Sequence, residues 1–126
     1  MRKMLVLPLV LAGCAGVPQA EAEHSELNRL LEGRVAGETR SCISADQSSN
    51  LTPVDGRSIA YRDGDTIWVS RLAAVCPGLE PGNTLIIEPS GSQYCRGDRF
   101  RTLAPGQIIP GPTCLLSDFT AYRRAN

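Results

Sequence analysis

The chain has 126 residues, with 13 basic and 13 acidic side chains, a balance that excludes the strongly basic footprint of a nucleic-acid binder. The length suits one domain, and 42% hydrophobic with only 5% aromatic residues predicts a modest core. The 12 glycines and 9 prolines fall mostly after position 32 and favour short strands joined by turns over a helical bundle.

Met1-Arg2-Lys3 makes a short positive start, and Met4 to Ala12 is apolar with Pro8 inside it. Nine helical residues cover about 14 Å, far short of a hydrocarbon core of about 30 Å. A charged start, an apolar run and small residues after it describe a secretory signal. Leu11-Ala12-Gly13-Cys14 then resembles the lipobox of bacterial lipoproteins. That resemblance implies cleavage before Cys14, lipid on its thiol and attachment to a membrane through that lipid. Two or three acyl chains make an essentially permanent anchor. The residue after Cys14 is Ala15 rather than Asp, and lipoprotein sorting in two-membrane bacteria then implies the outer membrane, facing the periplasm. The expected layout is a signal peptide over 1–13, a lipidated tether with a short helix over 14–37, and a disulfide-bonded β domain over 38–126. Without Arg2 and Lys3 the mature chain carries 11 basic against 13 acidic residues.

Ala15 to Ala22 reads as tether. Glu21 to Gly33 carries helical signals: Leu27, Leu30 and Leu31 at three- and four-residue spacing, acids in the first turn, and Gly33 as a stop. His24, the single histidine, falls on the same stripe.

From Glu38 the texture turns to strands. Thr39 to Ser44 is the first expected strand. Ser58–Arg62 and Thr66–Leu72 flank Asp63-Gly64, a strong hairpin signal. A two-residue loop there sets Arg62 against Asp65, Tyr61 against Thr66 and Ile59 against Trp68. Ile59, Tyr61 and Trp68 then share one face, and Ala60, Ile67 and Val69 the other; alternation alone leaves open which faces the core. Leu85–Glu88 and Gln93–Arg96 follow, with Arg99–Leu103 continuing past a bend at Gly97. A loop framed by Pro105-Gly106 and Pro110-Gly111-Pro112 holds Ile108 and Ile109, and Cys114–Tyr122 reads as a last strand. The expectation is a mainly β protein: a small antiparallel barrel or sandwich of six to seven short strands, preceded by the signal peptide and a short helix.

Beyond Cys14 stand Cys42, Cys76, Cys95 and Cys114, an even set that reads as two disulfides in an exported domain. Of three pairings, Cys76–Cys95 and Cys42–Cys114 are favoured. The first flanks the Leu85–Arg96 hairpin, and the second ties the first strand to the last. A zinc site is disfavoured, for no Cys-x-x-Cys exists and the one histidine lies on the tether. The run Cys42-Ile43-Ser44, Arg71 ahead of Cys76-Pro77-Gly78-Leu79, Tyr94-Cys95, and Cys114-Leu115 with Phe119 resembles a family of small uncharacterised bacterial envelope proteins. The resemblance implies an exported, disulfide-bonded, β-rich domain and nothing catalytic.

No catalytic constellation is legible, because a Ser or Cys nucleophile usually needs a base such as histidine. Asp63, Asp65 and Asp98 are available as carboxylates, but two of them flank a tight turn where Asp serves local hydrogen bonding. Arg96-Gly97-Asp98 spells an adhesion tripeptide beside Cys95, a cheap match. Arg96, Arg99 and Arg101 are the candidate anion-binding residues. Arg99 and Arg101 alternate onto one strand face with Phe100 on the other, and Arg123 and Arg124 are possible additions. The leading expectation is a non-enzymatic envelope lipoprotein, an accessory or interaction module with a protein partner, no cofactor and no metal. The alternative is a small binding domain for a glycan, lipid headgroup or acidic partner through the arginines. An envelope hydrolase comes third.

Overall fold

The computed structural model describes residues 8, 13, 26–45, 50–88 and 91–125. The expectations for the signal, Cys14, His24 and residues 21–25 of the helix lie outside the described residues. Among the described residues a helix, α1, covers 26–30. Among the described residues ten strands follow in three antiparallel sheets.

The largest sheet runs β1 (Arg34–Arg40), β10 (Phe119–Arg124), β5 (Thr66–Arg71), β4 (Ser58–Asp63), β3 (Thr52–Asp55). The second pairs β2 (Cys42–Ser44) with β7 (Gln93–Cys95). The third has the order β6 (Thr84–Glu88), β8 (Arg99–Leu103), β9 (Cys114–Leu115). Among the described residues no sheet closes on itself, so of barrel and sandwich the sandwich-like arrangement is the one present.

Ten strands replace six or seven because two expected strands each serve two sheets. The Thr39–Ser44 run breaks at Ser41: β1 ends in the large sheet and β2 begins in the small one. The Cys114–Tyr122 run breaks over 116–118 in the same way. The strand β1 already begins at Arg34, ahead of position 38. It zips to the last strand, with Ala125 N donating to Gly33 O. The strand β3 escaped the sequence pattern, since Pro53 interrupts it; as the outermost strand it tolerates a proline.

The β4–β5 hairpin forms with a corrected register. Asp63 pairs with Thr66, Arg62 with Ile67, Tyr61 with Trp68 and Ile59 with Ser70, so the loop is Gly64-Asp65 rather than Asp63-Gly64. Gly64 has φ of 56° and Asp65 is not at positive φ, the sign pattern of a turn that wants glycine at its first central position. The slip is two residues along the partner strand, so every side chain keeps its expected face. Both faces are buried. Ile59, Tyr61 and Trp68 join Phe119, Ala121, Phe100, Leu116 and Leu79 in the main core between the sheets. Ala60, Ile67 and Val69 are covered by Leu27 of α1, with Leu30 and Leu31 partly buried beside it. The helix is therefore a lid on the sheet's second face, which is why its leucine stripe is narrow.

The cysteine pairing is also corrected. Cys42 bonds Cys95 with Cα atoms 4.1 Å apart, and Cys76 bonds Cys114 with Cα atoms 6.1 Å apart. Cys76–Cys95 and Cys42–Cys114 fail because β6 and β7 are not a hairpin: β6 pairs with β8. The strand β7 instead sets Cys95 opposite Cys42 of β2. Gly97, at φ 86°, takes the chain out of that small sheet before β8 begins. Buried polar groups are met locally. Ser70 Oγ donates to Ser117 O and accepts from Ser117 N, each at 3.0 Å, which fixes the crossing between β9 and β10.

Candidate functional site

The three candidate arginines do not converge. Arg99 and Arg101 lie on the exposed face of β8, with Phe100 and Thr102 buried behind them, as alternation requires. Arg99 stands between Glu88 of β6 and Leu115 of β9 in the ladder, so its nearest cross-strand charge is acidic. Arg101 stands opposite Ile86, and its Nε donates to Gly111 O at 2.8 Å. That bond fastens the loop running from Ala104 to Thr113. Arg96 sits in the turn ahead of β8 and meets Asp118 at 3.5 Å, an exposed pair worth little in water. It borders a shallow groove with Arg71, Ser117 and Asp118, separate from the outer face of β8.

The possible additions belong elsewhere. Arg123 holds Glu38 of β1 through two bonds of 2.6 and 2.8 Å. The side-chain hydrogen bonds from Arg123 are the main cause lowering the Glu38 pKa to about 2. Glycine at 37 makes room for this fork, because a Cβ there would stand 3.0 Å from Arg123 Nη1. Arg40 lies over the Trp68 ring at 5.1 Å and closes that edge of the core.

The carboxylates are used within the fold. Asp98 is buried, and its Oδ2 accepts the Cys95 N–H at 2.8 Å. The Arg96-Gly97-Asp98 turn thus directs its carboxylate inward, the opposite of what an adhesion tripeptide needs. Asp55 caps the β3–β4 turn by accepting the Arg57 N–H at 2.8 Å. Arg57 in turn donates to Leu72 O and Ala73 O, pinning the segment after β5. Asp63 and Asp65 occupy the hairpin turn. The four domain cysteines are bonded in pairs and so are not thiolate ligands. Among the described residues no group of three His, Cys, Asp or Glu stands together as metal donors. Burial, and then the neighbouring Tyr61, raise the Tyr94 pKa; the two rings meet edge-on at 6.0 Å within the core.

The most distinctive surface is one the sequence pattern left unassigned. A groove of about 560 Å³ runs between the segment after β5 and the segment entering β9, lined by Ala73, Val75, Pro77, Pro112 and Leu115 with Arg96 at its rim. Val75 and Leu115 are more than half exposed. Beyond it, Ile108 and Ile109 are 91% and 79% exposed on the loop that Arg101 fastens. The sequence held a signal for this: two adjacent isoleucines inside a frame of prolines and glycines have no strand in which to bury. No protein-family model, no curated protein and no solved structure matches this chain.

Proposed function

We propose that this chain is an envelope lipoprotein, anchored through lipid on Cys14, whose β domain is a non-enzymatic interaction module. The observation that carries the reading is Leu11-Ala12-Gly13-Cys14 directly after a basic start and a nine-residue apolar run. Two disulfide pairs in so small a domain support it, since such bonds persist outside the reducing cytosol. The exposed apolar groove supplies the contact surface that an interaction module needs. The lipidated chain works from the outer membrane, facing the periplasm. The test is Cys14→Ser: the protein should leave the membrane fraction and lose the mobility shift that processing produces. A Ser variant that is still cut and still membrane-bound overturns the reading.

The second reading is anion binding by the arginines, favoured by the shared exposed face of Arg99 and Arg101. Replacing Arg96, Arg99 and Arg101 with Gln should then abolish retention on an anionic lipid or glycan surface. Retention of the wild type should also weaken as salt rises, because exposed charges are screened over about 8–10 Å. Unchanged retention in the triple variant removes this reading.

A further inference from the structure

We propose that the Ile108-Ile109 loop is a second membrane contact, inserting at the lipid interface of the bilayer in which Cys14 is anchored. This inference rests on the lipoprotein reading above.

Two adjacent isoleucines at 91% and 79% exposure are not scattered surface residues. They sit on a loop held in shape from below. Arg101 Nε donates to Gly111 O, Gly111 N donates to Thr102 O at 2.8 Å, and Gln107 N donates to Ala104 O at 3.1 Å. A braced loop presents its tip without the ordering cost that a free segment bears on binding. Arg101 stands at the base of the loop. With the isoleucines at the acyl boundary, its guanidinium falls at the level of the headgroup phosphates, the arrangement of interfacial anchors.

The length of the tether favours the bilayer as the occupant, because lipid on Cys14 keeps the domain beside it. Eleven residues separate Cys14 from Glu26, and such a length reaches at most about 40 Å. A domain of this size has a radius of gyration of about 13 Å, so a tether of that length lets the loop meet the bilayer that holds the lipid. An anchored bilayer is then at high effective concentration for the loop. Two contacts, lipid and loop, fix which face of the domain points away from the membrane.

The experiment uses the lipidated full chain in phosphatidylethanolamine–phosphatidylglycerol vesicles, with and without lipids brominated on the acyl chains. The single native tryptophan, Trp68, is buried and gives a constant background. Ile109→Trp reports the loop. Asp65→Trp, in the β4–β5 turn at the far end of the hairpin from Leu72 and Val75, reports a distant surface. Brominated lipid should quench the added emission at position 109 at least twofold more than at position 65. Flotation with the vesicles but equal quenching at the two positions, or none at 109, overturns the loop contact and leaves the anchor intact. Failure of the native-Cys14 protein to float with vesicles overturns both.

Discussion

Cys42 and Cys95 stand directly opposite each other on β2 and β7, and their bond joins the two halves of a three-residue ladder. That ladder places Ile43 and Tyr94 against the main core. The crosslink thus replaces the length that so short a pair of strands lacks, where an isolated two-stranded hairpin is marginal in water.

Peptide mapping of the unreduced protein should find Cys42 joined to Cys95 and Cys76 joined to Cys114, with no free thiol among the four. Sequence separations of 53 and 38 correspond to loop-closure contributions of about 4 kcal/mol each. Together these approach the whole stability of a small domain, so reduction should unfold it near room temperature. A peptide carrying Cys76 linked to Cys95 contradicts this topology.

The Glu38–Arg123 fork predicts an acid dependence. The Glu38 pKa is lowered to about 2 in the folded protein, from an ordinary value of 4.5. Its contribution is therefore complete above the unfolded value and is lost as pH falls from about 4.5 toward 2. The carboxylate is solvent-exposed, so the effect is small and salt-sensitive. The melting temperatures of wild type and Glu38→Gln should differ at neutral pH and converge by about pH 2. A gap that persists at that pH assigns the difference to something other than this ion pair.

Gly78 tests how tightly the Pro77 segment packs on β8. It has φ of 84°, and a Cβ there would come within 2.6 Å of Thr102 Oγ1, a buried side chain. Gly78→Ala should cost about 2 kcal/mol, from the left-handed backbone and the clash together. In a double-mutant cycle Thr102→Ala should recover the clash portion and leave the backbone portion. Strict additivity in urea denaturation shows that the two residues do not meet.

The sequence made the fold class legible because alternation survives a register error. Ile59, Tyr61 and Trp68 kept one face, and Ala60, Ile67 and Val69 the other, although the turn moved to Gly64-Asp65. The four cysteines were legible as two bonds. Their partners were not, since nothing in Gln93–Cys95 says that it pairs with residues fifty positions earlier rather than with its neighbour β6. The face shared by Arg99 and Arg101 was likewise legible, as period two demands. Their separation from Arg96 was not, because it depends on how the chain leaves Gly97 and on Asp118 arriving from the end of the domain.

The place of β10 sets the order in which this protein is completed. Phe119–Arg124 is inserted between β1 and β5, so the first strand of the large sheet has no neighbour until the last one is delivered. A polypeptide emerging from its amino end holds β1 and β5 apart for the passage of some fifty residues, with both ladders open. A stop anywhere before Phe119 leaves two unpaired edges, Trp68 without its neighbour Ala121, and Cys76 with or without its late partner according to where the stop falls. Such a topology leaves both ladders open until β10 arrives, and then closes them in one step.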